Sequence, residues 1–188
     1  MKAIIFDCFG VLVGRGFWNV YKSLGGDLEA DAEFIDEQLQ KVDLGEISGH
    51  EFSELMANRL HIPVDTYLDT FAKDEKPNED VFEYIEMELK PHYKLALVSN
   101  ATGDSVRKRI PENKMALFDE VFISGEVGIL KPDPRLFEMA LRALDVDAND
   151  AVFVDDHQEY IDGAKAVGLH TILFTSLDNL KLNLQTLL

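Results

Sequence analysis

Cysteine is nearly missing from this chain. Cys8 stands alone among 188 residues, which excludes an internal disulfide framework and fits a reducing compartment. Basic residues are also scarce: 18 Lys and Arg face 35 Asp and Glu, for a formal charge of −17. A nucleic-acid surface needs clustered cations, so no nucleic-acid partner is expected. Nor is there an apolar run of the roughly 18 or more residues that spans a bilayer. Residues 1–8 lead straight into a strand-like segment and lack the ordered charged, apolar and small-residue regions of a signal peptide. The expectation is a cytoplasmic protein with no membrane partner. What is present is a composition of 46% apolar and 28% charged residues, that of a soluble globular protein. The length allows one full core, or a core with a small accessory unit. Part of the acidic excess is local, since Asp27, Glu29, Asp31, Glu33, Asp36 and Glu37 fall in one stretch that reads as a solvated helix face.

Residues 2–7 read as a first strand, and Gly10, Gly14 and Gly16 loosen the chain after it. From about Phe17 to Lys76 the period is helical. Phe34, Ile35, Leu39 and Val42 form one stripe, and Phe52, Leu55, Met56 and Leu60 another. Asp43-Leu44-Gly45 breaks the first, Ser48 with Glu51 can cap the second, and Pro63 starts a further helix. After Pro77 helices and strands alternate. Strands are expected at 95–98, 121–123, 151–154 and 171–174, a polar helix at about 103–110, and a final helix facing inward through Leu177, Leu180, Leu184 and Leu187. This order implies an α/β fold with a doubly wound parallel sheet, carrying a helical insertion after strand one that leans over the carboxyl edge as a lid.

Three of the apolar runs end in acidic or hydroxyl-bearing tails. Asp7 follows Ala3-Ile4-Ile5-Phe6, Ser99-Asn100 follows Leu95-Ala96-Leu97-Val98, and Asp155-Asp156 follows Val152-Phe153-Val154. Buried parallel strands would bring these tails to the edge where open α/β sheets bind ligands. Carboxylates gathered there, with a lysine nearby, point to a divalent metal and a phosphate.

Taken in order, Phe6-Asp7-Cys8-Phe9-Gly10-Val11-Leu12, Val98-Ser99-Asn100, Gly128-Ile129-Leu130-Lys131-Pro132-Asp133-Pro134 and Val154-Asp155-Asp156 resemble the motifs of the haloacid dehalogenase-like (HAD) hydrolase superfamily. The resemblance is to the subfamily with a helical cap after the first strand, and it covers nearly the full length. It implies a Rossmann-like core from residues 1–14 and 77–188 and a helical cap over 15–76. It also implies hydrolysis of a small phosphorylated metabolite, with Asp7 as the nucleophile. A carboxylate beside Mg²⁺ can attack phosphorus to give an aspartyl phosphate, which splits one difficult step into two easier ones. On the same resemblance Mg²⁺ is held by Asp7, Asp156 and the backbone carbonyl of Phe9, with Asp155 as a secondary ligand or supporting partner. Ser99, the backbone N–H of Asn100 with the start of the following helix, and Lys131 bind the phosphate. Tyr160 stands where relatives often have Asp or Asn. His157 reads either as a rim residue or as an exposed helix start, and Cys8 as a small core residue whose thiolate the neighbouring Asp7 disfavours.

Phe9 departs from this pattern. Phosphatases and phosphomutases of the superfamily carry a second Asp two residues after the nucleophile as general acid and base. Phenylalanine can lend only its carbonyl, and loss of a placed proton donor costs about 10²- to 10⁴-fold in rate. Activity is therefore expected to be weakened or specialised towards acyl or aryl phosphates, unless a cap residue such as Tyr21 or Glu46, or the substrate itself, supplies the proton. Two other readings stay open on the same fold. One is a binding protein for a phosphorylated ligand or a partner that has lost turnover; the other is a 2-haloacid dehalogenase, against which the Asp155-Asp156 pair argues. A signalling receiver domain fits poorly, because its acidic pair lies on the first strand.

Overall fold

A computed structural model describes residues 1–14 and 16–187; residues 15 and 188, which bound the expected cap and core segments, lie outside them. Along the chain the elements are β1 (Ala3–Phe6), α1 (Gly16–Ser23), α2 (Ala32–Asp43), α3 (Gly49–Arg59), α4 (Val64–Asp74) and α5 (Glu79–Tyr84), the last running into a π-helical turn at Ile85–Leu89. Then come β2 (Lys94–Ser99), α6 (Gly103–Arg109), α7 (Glu112–Met115), β3 (Glu120–Ile123), α8 (Ser124–Val127) and α9 (Pro134–Leu144). The chain continues through β4 (Ala151–Asp155), α10 (Gln158–Val167), β5 (His170–Leu173) and α11 (Leu177–Leu187).

The five strands form one parallel sheet in the order β3-β2-β1-β4-β5, so β1 lies at the centre and the chain winds outward in both directions. Each central strand is buried on both faces, as crossover helices require. Ile4, Phe6, Leu95, Leu97, Val152 and Val154 point to the side of α5 and α11. Ala3, Ile5, Ala96, Val98 and Phe153 point to the side of α9 and α10. The register sets Phe6 beside both Leu97 and Val154. Asp7 therefore leaves the sheet level with the end of β4, and its N–H donates to the Val154 carbonyl at 2.9 Å.

Helices α1 to α4 gather around their own apolar cluster, with Val20, Tyr21, Ile35, Met56, Ala57, Tyr67 and Phe71 buried. The Ser48–Glu51 capping box that starts α3 has both of its bonds, at 3.1 and 2.8 Å. The acidic stretch is solvated apart from Asp31, which is only 7% exposed. Asp31 accepts from the Tyr21 hydroxyl at 2.7 Å and pairs with Arg59 at 2.5 Å, so this one carboxylate is structural. The insertion leaves and rejoins the sheet through a narrow neck. Val13 bridges to Pro77, and Gly14 N–H donates to the Lys76 carbonyl at 3.1 Å. Beside the neck Arg109 of α6 pairs with Glu75, and its guanidinium lies 5.6 Å from the centre of the Phe9 ring. At the other end Ser124 of α8 donates to the main-chain carbonyl of Asp43 at 2.5 Å.

Candidate active site

Asp7, Asp155 and Asp156 come from the ends of β1 and β4 and meet at the carboxyl edge. One oxygen from each lies within 4.8 Å of the others. Asp7 and Asp155 are buried, Asp156 partly so. Lys131, 3% exposed, reaches into the cluster and donates from Nζ to Asp7 and, at 2.8 Å, to Asp155 Oδ2. The other Asp155 oxygen accepts the His157 backbone N–H at 2.8 Å. Both Asp155 oxygens are thus engaged, and its side chain orients the lysine. Three carboxylates against one ammonium leave a formal charge of −3 + 1 = −2 when all are ionised. Buried, like-charged carboxylates repel, and a divalent cation is the species that neutralises them. Burial, with help from the Asp155 and Asp156 charges, outweighs Lys131 and holds the Asp7 carboxyl above its ordinary value. For Lys131 burial pulls the pKa down, but the two carboxylates it touches carry it above the usual lysine value.

Room for the Asp156 carboxylate is built into the backbone. Gly10 has φ +100°, and a Cβ placed there would fall 1.9 Å from Asp156 Oδ2. Only a residue without a side chain lets the Asp156 carboxylate approach so closely. Ser99, at the end of β2, is 1% exposed, and among the described residues its Oγ has no hydrogen-bond partner. A buried hydroxyl left unsatisfied is what a missing ligand oxygen would complete.

The Asn100 side chain has a task of its own. Its side chain accepts from Lys131 N–H at 2.8 Å, donates to the Lys131 carbonyl at 3.0 Å and donates to the Tyr160 hydroxyl at 3.3 Å. It clamps the segment that carries Lys131. Helix α6 starts three residues later, and the Thr102 hydroxyl caps it by accepting from Ser105 N–H. Tyr160 joins the cluster through Asn100 and through its ring, 4.8 Å from Lys131 Nζ. The His157 side chain is exposed with its ring centre 4.7 Å from that of Tyr160, and its backbone N–H holds Asp155. Cys8 is fully buried, its thiol pushed well above its ordinary pKa by burial and then by Asp7.

Neither expected cap proton donor fits. Tyr21 is consumed by Asp31 inside the insertion, and Glu46 is exposed. A further carboxylate of the insertion that is electrostatically linked to the site is Asp43, which reads in sequence only as a helix breaker. It feels the Lys131 charge, and burial pushes its carboxyl up to about 7.

With this geometry in hand the chain can be set beside known proteins. A family model for haloacid dehalogenase-like hydrolases matches residues 29–174. The chain belongs to that family. It is 28% identical over 186 residues to a sesquiterpene phosphatase of Aspergillus oryzae, covering 89% of this chain and 87% of that protein. It is 44% identical over 80 residues to a phosphoserine phosphatase of Thermus thermophilus, a match that covers 42% of this chain and spans only 32% of that enzyme. A HAD family enzyme of Bacteroides thetaiotaomicron, solved in complex with magnesium and inorganic phosphate, superposes with a TM-score of 0.71 at 16% identity, covering 96% of this chain and 98% of that one.

Proposed function

We propose that this HAD hydrolase is a Mg²⁺-dependent phosphohydrolase that turns over a small phosphorylated molecule through an aspartyl phosphate on Asp7. The observation that carries the reading is the buried carboxylate cluster of Asp7, Asp155 and Asp156 around a lysine, with an unsatisfied serine hydroxyl on the next strand. The phosphatases among its relatives, and the magnesium and phosphate held by the Bacteroides enzyme, support it. The donor set fits magnesium, a hard cation that takes few protein carboxylates and several waters. Asp7, Asp156 and the Phe9 backbone carbonyl would hold it, and Asp155 acts through Lys131. When bound, the ion neutralises phosphate oxygens and fixes them in line with Asp7.

The side chains divide the remaining work. Asp7 Oδ attacks phosphorus. Lys131 Nζ, donated to Asp7 in the resting site, also faces the charge on the transferring group. Ser99 Oγ donates to a phosphate oxygen, and Asn100 keeps the Lys131 segment in register. Residues 15–76 act as the cap, closing over the edge to exclude water and select the substrate. Phe9 moves no proton, so acyl and aryl phosphates, whose leaving groups depart as anions, are the expected good substrates.

Phosphate release from an acyl phosphate and an aryl phosphate, with and without Mg²⁺, tests this. Wild type should turn over only with the metal, and Asp7→Asn should abolish turnover. Activity retained in Asp7→Asn would refute the mechanism. Tight phosphate binding without turnover would make the chain a binding protein instead.

A further inference from the structure

Phe9 leaves a vacancy in the chemistry: nothing within the β1 loop can protonate a leaving alkoxide or take a proton from water. We propose that Asp43, at the end of α2, fills it as the proton donor and acceptor, a catalytic residue delivered by the helical insertion across its seam with the sheet. This rests on the phosphohydrolase reading above and names a residue for which that reading has no role.

The placement follows from backbone contacts. The Asp43 carbonyl accepts from Ser124 Oγ at 2.5 Å, and the same Oγ accepts from Ala101 N–H at 2.9 Å. Ser124 is fully buried, and Ala101 directly follows Asn100, whose side chain clamps Lys131 and Tyr160. Glycines bring the two backbones together. A Cβ on Gly45 would meet the Gly125 carbonyl at 3.1 Å, and a Cβ on Gly125 would meet the Ala101 carbonyl at 3.0 Å. The end of α2 is thereby seated against the turn that follows β2, and the Asp43 backbone lies in that seam, one hydrogen-bonded hydroxyl away from Ala101. A cleft of about 270 Å³ opens beside it, lined by Gly45, Ile47 and Ser48 on one side and Thr102, Gly103 and Arg107 on the other.

The electrostatics suit the task. Across the seam the Lys131 charge acts on Asp43, and the Asp43 charge acts on Tyr160. The nearby charges on α6 and α8, Arg107 and Glu126, pair with each other at 2.5 Å, and on α2 itself Lys41 pairs with Glu37 at 2.6 Å. Burial wins over Lys131 and brings the carboxyl to about 7, so both protonation states are populated near neutrality. In the first half-reaction the bond from Asp7 Oδ to phosphorus forms, the bond from phosphorus to the leaving oxygen breaks, and the Asp43 proton passes to that oxygen. In the second, the Asp43 carboxylate takes a proton from water as the water oxygen bonds to phosphorus. The Asp7–phosphorus bond then breaks, inorganic phosphate leaves, and Asp43 is protonated again.

Because Asp43 is anchored through its main-chain carbonyl, Asp43→Asn and Asp43→Glu leave the seam bonds in place. With full-length protein and Mg²⁺, Asp43→Asn should lower kcat for an alkyl phosphate by roughly 10²- to 10⁴-fold and for p-nitrophenyl phosphate far less in the first half-reaction. Phosphoenzyme should then accumulate as a burst of nitrophenol, and the fall in kcat above about pH 7 should disappear, with Asp43→Glu partly restoring both. An independent readout is the Asp43 carboxyl carbon followed by NMR in wild type, expected to titrate near 7. Equal losses on both substrates with the pH limb intact, or a carboxyl titrating near the ordinary value of about 4, would overturn the assignment. Asp7→Asn in the same assays separates the two ideas: if it loses turnover while Asp43→Asn does not discriminate between leaving groups, only the Asp43 role falls. A wild type that hydrolyses neither ester overturns both.

Discussion

At Gly10 a single absent methyl group governs whether the Asp156 carboxylate can join its partners. Gly10→Ala meets two obstacles, a φ of +100° and a Cβ that would lie 1.9 Å from Asp156 Oδ2. The left-handed backbone costs roughly 1–2 kcal/mol, and the clash must displace the carboxylate. Mg²⁺ affinity measured by calorimetry should fall about 10-fold or more, in line with other losses of support around a metal, while the circular dichroism spectrum stays native. Unchanged affinity would remove Asp156 from the cation site. The acidic and hydroxyl residues that end strands were legible in sequence, because an apolar run of four or so residues announces both the strand and its exit point. Lys131 was legible only through its motif: a lysine before proline in a loop normally lies in water, and its burial comes from two carboxylates far away in sequence. Asp43 and the clamping role of the Asn100 side chain were illegible for the same reason. Their partners at Lys131, Tyr160 and Ser124 lie distant along the chain, and an aspartate at a helix end looks like punctuation.

Among the elements, α10 carries a constraint set by the backbone of a neighbouring segment. Gly163 sits inside this helix, and a Cβ there would fall 2.6 Å from Pro132 Cβ and 2.9 Å from its carbonyl oxygen. Helix propensity alone would favour Gly163→Ala by about 0.5–1 kcal/mol. The contact outweighs that gain, because Pro132 adjoins Lys131 and its backbone cannot retreat without moving the lysine. Gly163→Ala is expected to lower both Tm and kcat; a raised Tm with normal kcat would show that the segment has slack. The strands fell within one or two residues of their sequence bounds, since runs buried on both faces leave little doubt about type. Helices α7 and α8 were not anticipated, because four residues are too few to display a period.

For the molecule as a whole, pH and metal should act together. Asp7 and Asp43 have carboxyls raised by burial. A raised carboxyl binds its proton more tightly in the folded state, so its contribution to stability is full below about pH 4, the ordinary carboxyl value, and is lost as pH rises towards the folded value, about 7 for Asp43. Asp31, whose carboxyl is held down by Tyr21 and Arg59, acts in the opposite sense and loses its contribution on acidification. A cation that replaces the protons on the cluster should therefore raise Tm more at pH 8 than at pH 5. Thermal melts with and without MgCl₂ check this, and an equal shift in Asp156→Asn would dissociate the effect from the cluster. The neck has a consequence of its own. Since Val13 and Pro77 already touch, the ends of the sheet domain's first loop meet whether or not four helices hang between them. A lineage could therefore exchange, enlarge or prune that appendage in one recombination event and keep the sheet and the three carboxylates at its edge folded.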